Sequence, residues 1–144
     1  MERHWRVLVA SSGPETKQRV MRILDRLGVD CVVASTIGQC RQIFFQDNVA
    51  LVFCDRDLSD GGYRNLLAAA DCKSGTNLRV VLMTSQINPD EYSAAKQAGL
   101  FEVIASPCRP TDVEWMVILA KRAERMRTKQ LVTAPLKMVQ TAAN

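Results

Sequence analysis

Asp55 closes the apolar run Val49-Ala50-Leu51-Val52-Phe53-Cys54, which sets one carboxylate at the C-terminal end of a buried strand. Open α/β sheets carry their reactive groups at that end. A carboxylate there can take a phosphoryl group if Mg²⁺ and a fixed cation offset the charge developing on the phosphoryl oxygens. The corresponding ends of the first and last strands hold Ser11-Ser12 and Ser106. Hydroxyls donate and accept hydrogen bonds but bring no charge to a metal or a phosphoryl oxygen.

Five strand segments alternate with five helical ones to position these residues. Arg6–Ala10 stops at Ser11-Ser12-Gly13-Pro14, and Pro14 suits the first turn of a helix running to about Leu27. Val20, Ile23, Leu24 and Leu27 form its apolar stripe, and Gly28 is its natural stop. Residues 29–34 form the second strand. Ser35 or Thr36 caps a second helix with Ile37, Cys40, Ile43 and Phe44 inward. Strand three, residues 49–54, leads through a polar loop to helix three, from about Tyr63 to Asp71. A loop at 74–77, strand four at 78–83, a helix from Ser85 or Asn88 to Gly99 and a short strand at 102–105 follow. Pro110-Thr111-Asp112 opens the last helix, to about Thr128; residues 129–144 read as a C-terminal extension or linker in which Pro135 breaks any continuous helix. Strands one, three and four are almost uninterrupted apolar runs, as in a parallel sheet covered on both faces. Repeated βα units of this size predict one right-handed, doubly wound α/β domain, residues 1–128.

Composition excludes several classes. With 144 residues, 47% of them hydrophobic and 24% charged, the chain has the make-up of a soluble single domain. It begins without a signal-peptide pattern, so a cytoplasmic location is expected. Five scattered cysteines form no C-x-x-C pair; Cys31 and Cys54 read as core residues and Cys108 as a packing residue or, less favoured, a reactive thiol. Residues 1–120 carry net charge −1 and residues 121–144 carry +5. That basic end reads as a solvated helix terminus, and no helix-turn-helix, finger or aromatic platform points to nucleic acid. His4 stands alone before strand one, so no Ser/His or Cys/His pair exists and no enzyme is expected. Ser11-Ser12-Gly13-Pro14 precedes a helix but has a single glycine, which leaves a nucleotide-binding enzyme poorly supported.

Residues 5–127 resemble a response-regulator receiver domain (CheY-like), in a degenerate form. The resemblance rests on RVLVASSGPE (6–15), ALVFCDRDLSDGG (50–62), VVLMT (80–84) and AAKQAGLFEVIASPCRP (94–110). It implies a flavodoxin-like sandwich, a five-stranded parallel sheet of order 2-1-3-4-5 with five helices. It implies that Asp55 stands at the phosphoacceptor position, Thr84 at the switch hydroxyl and Pro107 after the family lysine. Four positions depart from the pattern. Ser11 and Ser12 replace the acidic pair that holds Mg²⁺ together with the backbone carbonyl at Asp57. Ser106 replaces the lysine, and Val103 the aromatic switch residue.

Mg²⁺ is bound through carboxylates, so its affinity should collapse and no cofactor is expected unless the site still accepts a phosphoryl group. Asp57 and Asp60 are nearby carboxylates that could compensate in part. Arg109 is the better candidate for a substitute cation, since Arg56 should point away from Asp55. Asp55 is then expected to bond to Ser11, Ser12, Thr84 or Ser106. The expected function is a two-component (phosphorelay) signalling module of pseudo-receiver type, acting by protein–protein contact. The alternative is a working receiver phosphorylated on Asp55 with atypical metal or cation chemistry. On the last helix Val113, Met116, Val117 and Ala120 make a core stripe, while Trp115, Ile118 and Leu119 extend the apolar surface beyond it. That excess predicts contact with a signalling protein such as a histidine kinase, a homodimer through helix 4, strand 5 and helix 5, or cover by the C-terminal extension.

Overall fold

The computed structural model describes residues 5–71 and 78–143, with 127–143 as backbone alone; His4, Cys72 and the loop expected at 74–77 lie outside the described residues. β1 (Arg6–Ala10), β2 (Asp30–Ala34), β3 (Val49–Asp55), β4 (Arg79–Met83) and β5 (Glu102–Ile104) form one sheet of order 2-1-3-4-5, every pair parallel. Between them run α1 (Pro14–Arg26), α2 (Ile37–Gln46), α3 (Tyr63–Asp71) and α4 (Pro89–Gln97), with α5 beginning at Pro110. This is the expected flavodoxin-like, doubly wound architecture.

Strand alternation divides the core in two. Leu8, Ala10, Val52, Cys54, Val80 and Leu82 face α2, α3 and α4; Val7, Val9, Leu51, Phe53, Val81 and Met83 face α1 and α5. Each fully buried Val, Leu or Phe in these layers contributes about 1.5–3 kcal/mol through its removal from water.

Local signals set the boundaries. Thr36 caps α2 by accepting from the Gln39 N–H (3.1 Å), and Asn88 caps α4 through the Glu91 N–H (2.8 Å). Gly28, at φ 70°, stops α1 in a conformation that costs a side-chain residue about 1–2 kcal/mol. Within the loop after β3, two short antiparallel segments, Asp57–Leu58 and Gly61–Gly62, form a hairpin.

The last helix corrects an expectation. α5 runs unbroken over Pro110–Ala143, past the expected end at Thr128 and through Pro135. Pro135 removes one intrahelical N–H donor. The Ala, Leu, Lys, Gln and Met residues on either side of it favour helix enough to continue the turn. No helix among the described residues is long and apolar enough to cross a membrane.

Candidate functional site

The register of the sheet assembles the site. Ala10 pairs with Cys54, so the next residues, Ser11 and Asp55, emerge side by side on the α1 face of the sheet edge. Ser11 is fully buried. Its hydroxyl donates to Asp55 Oδ2, while its Oγ accepts the Gly13 N–H at 3.0 Å. The backbone N–H of Ser12 also bonds to Asp55. The carboxylate is thus held by the two positions where the receiver pattern has acids.

Thr84 and Ser106 do not join this cluster. The Thr84 hydroxyl donates to the Gln86 carbonyl at 3.1 Å and accepts the Gln86 N–H at 3.3 Å, closing a small turn on itself. Ser106 is joined to Pro107 by a cis peptide bond and lines a cleft against α1. Among the described residues no hydrogen bond links either hydroxyl to Asp55.

The cation nearest in effect is not the expected Arg109. That residue opens α5, its carbonyl accepting the N–H groups of Asp112 (3.1 Å) and Val113 (3.2 Å). Lys17, in the first turns of α1, is the side chain whose charge acts on Asp55; its Nζ also bonds to the Ser35 hydroxyl. Lys17 is the one basic residue in the first turn of α1, Pro14–Lys17, so the sequence puts a cation near the end of β1 without showing which carboxylate its side chain reaches. Arg56 points away as expected, its Nη2 reaching the Gln86 carbonyl (2.6 Å) and Glu91 Oε1 (2.8 Å) at the start of α4.

The other carboxylates are engaged or remote. Asp60 accepts the N–H groups of Ile37 (2.7 Å) and Gly38 (3.1 Å), serving the N-terminus of α2 instead of the Asp55 pocket. Those bonds hold its carboxyl below the usual range. Its expected help with a metal is therefore withdrawn, because a negative charge at a helix N-terminus is already in a favourable field. The Asp57 side chain is exposed on the loop. Among the described residues no three His, Cys, Asp or Glu side chains converge as a metal ion would require. One carboxylate with a serine on its oxygen does not fit Mg²⁺, which favours charged hard-oxygen ligands. Cys108 is buried and its thiol is pushed up, chiefly by that burial, which suits packing and not nucleophilic chemistry.

Burial raises the Asp55 carboxyl above its ordinary value, against the opposing pull of Ser11, Lys17 and the Ser12 N–H. A carboxyl raised in the folded state contributes stability that is complete below the unfolded pKa of about 3.9 and is lost as pH rises through the folded pKa. Asp55→Asn should therefore melt higher than wild type at pH 7 and level with it at pH 3. Paired thermal melts check this, and a variant that melts lower at pH 7 would show that the hydrogen bonds outweigh burial.

The Tyr92 hydroxyl of α4 donates to Glu102 Oε1 of β5 at 2.7 Å, and Lys96 stands 3.7 Å from the same carboxylate. Trp115 on α5 is 49% exposed, with the Arg122 guanidinium 5.9 Å from its ring centre. Ile118 is half-buried, and Leu119 packs against the α1–α5 core. Val103 packs against the other core layer.

No family model matches the sequence, and no curated protein matches it. Solved structures do match. The chain is similar to the signal receiver domain of an HD domain-containing protein from Pseudomonas fluorescens Pf-5, at 18% identity and a TM-score of 0.79 over 90% of this chain and 96% of that one. It is similar to a two-component response regulator from Clostridium difficile, at 19% identity and a TM-score of 0.74 over 81% and 95%. A CheY-like response regulator receiver domain protein from Methanospirillum hungatei JF-1 matches at 20% identity and a TM-score of 0.73 over 84% and 97%. The fold of this chain is that of the response-regulator receiver domains.

Proposed function

We propose that the chain is a receiver-like signalling module of the two-component (phosphorelay) kind that acts in the cytoplasm as a pseudo-receiver, by protein–protein contact and without Mg²⁺-dependent phosphorylation. One observation carries the reading: the Ser11 hydroxyl sits on the Asp55 carboxylate, where a metal-binding acid would otherwise stand. The relay beyond it is also missing, since the Thr84 hydroxyl is bonded to Gln86 and the aromatic position holds Val103. Whether Asp55 takes stoichiometric label from an acyl phosphate in Mg²⁺ is the deciding experiment.

A second reading has one observation in its favour. Lys17 acts on Asp55 through its charge, so it is the natural substitute cation for a phosphoacceptor of atypical chemistry. Label on Asp55 that vanishes in Lys17→Met would establish it.

The contact surface of the pseudo-receiver is the flank made by α4, β5 and α5, around Trp115 and Ile118, open to a histidine kinase, another signalling protein or a second copy. Half-exposed tryptophan beside arginine is the pairing that concentrates binding energy at interfaces. In sedimentation equilibrium the wild type is expected to self-associate and Trp115→Ala to shift at least tenfold toward monomer. A wild type that stays monomeric at high micromolar concentration rules out the homodimer, and equal association of the two proteins removes Trp115 from it.

A further inference from the structure

A cleft of about 500 Å³ lies between α1 and the loop joining β5 to α5, and Trp115 is not among its lining residues. Three arginines of α1 line one wall: Arg19, Arg22 and Arg26. Their spacing of three and four residues puts them on one helix face, rising about 4.5 Å and then about 6 Å. Ile23, Pro107 and Pro110 are the apolar side chains of the lining, the two prolines exposed. Arg19 is fixed by its Nε, which donates to the Cys108 carbonyl at 2.7 Å and ties the helix to the opposite wall. Arg22 and Arg26 form no ion pair among the described residues, and Glu15 is the one acid in the lining.

Three like charges on one wall repel one another, and the hydrophobic stripe of α1 does not need them, since Val20, Ile23 and Leu24 already bury that helix. Guanidinium forks match phosphate oxygens in pairs. The volume falls within the range of small-molecule sites, and the cleft is half open to solvent, which keeps its arginines accessible to a charged ligand. We propose that this cleft binds a small organic phosphate of the nucleoside diphosphate class, with its phosphates on Arg22 and Arg26 and its apolar body on Ile23 and the two prolines. The site is separate from the Ser11–Pro14 loop and does not depend on whether Asp55 accepts a phosphoryl group. Ser106 lines the same cleft, so an occupant touches the loop that replaces the family lysine and would give the module a ligand input.

Isothermal titration with ADP and with inorganic pyrophosphate, at low salt and without metal, tests this on the full chain. The expected result is submillimolar ADP binding, weaker pyrophosphate binding, and at least a tenfold loss for ADP in R22Q/R26Q. Both residues are exposed on the helix surface, and an unchanged melting temperature would show that the variant is folded. Three results overturn the proposal: no heat from ADP at millimolar concentration, ADP binding that the double variant keeps within tenfold, or pyrophosphate binding as tightly as ADP. The first of these would leave the arginines as a surface for an acidic protein.

Discussion

Ser11→Asp is expected to destabilise the fold by about 3–5 kcal/mol at pH 7, the cost of leaving a buried charge uncompensated. Ser11 has no solvent exposure, and its side chain already touches Asp55 Oδ2, so the new carboxylate would meet a second one at hydrogen-bond distance. Two carboxylates that close cannot both ionise, and each raises the other's pKa. The raised carboxyls make stability fullest in acid and lose it as pH rises. The variant should therefore regain much of the loss at pH 5, and its dependence on pH should be steeper than that of the wild type. Millimolar Mg²⁺ should also stabilise the variant, because paired carboxylates are the ligands it lacks here, while leaving the wild type unmoved. Urea unfolding at pH 7 and pH 5, with and without Mg²⁺, measures all three effects. A variant as stable as wild type at pH 7 without metal would mean that water reaches Ser11 and that the pocket is not closed around Asp55.

Phe53→Ala is expected to cost about 3–5 kcal/mol and to lower the melting temperature by about 10 °C or more. Phe53 is fully buried, the largest such side chain in the described core, and lies two residues before Asp55 on the same face of β3. Its ring meets the layer formed by α1 and α5, where Val113, Met116 and Val117 pack. Truncation leaves a cavity that a central strand held by neighbours on both sides cannot close. Calorimetry checks the size. A loss below about 1 kcal/mol would mean that α5 collapses onto the strand, and the packing around Asp55 would then be softer than the burial shows.

The architecture was legible because its signals are local and repeated. The apolar runs of β1, β3 and β4, Pro14 and Pro110 opening helices, and Gly28 and Gly99 closing them each reflect the conformations of one or two residues. The neighbourhood of Ser11 and Asp55 followed from the parallel register. What the sequence did not disclose depends on reach and competition between distant groups. Lys17 acts across a helix turn with a long side chain, which no spacing rule reports. Asp60 lies close to Asp55 in the chain, yet the amides of Ile37 and Gly38, 23 and 22 residues away, take its carboxylate. Thr84 had an equally available partner in the backbone of Gln86, two residues along. The cleft beside Arg19, Arg22 and Arg26 needs the β5–α5 loop folded against α1, so the arginines alone read as a solvated helix face. Pro135 shows the limit of breaker rules, since the residues around it carry the helix through.

Intact-mass measurement after incubation with acetyl phosphate and millimolar Mg²⁺, with Asp55→Asn in parallel, tests the central claim most directly. The pseudo-receiver account predicts no phosphoryl adduct on the wild type at any Mg²⁺ concentration and a spectrum identical to that of the variant. A stoichiometric adduct of one phosphoryl group on the wild type, absent from Asp55→Asn, would contradict it and return Asp55 to the role of phosphoacceptor.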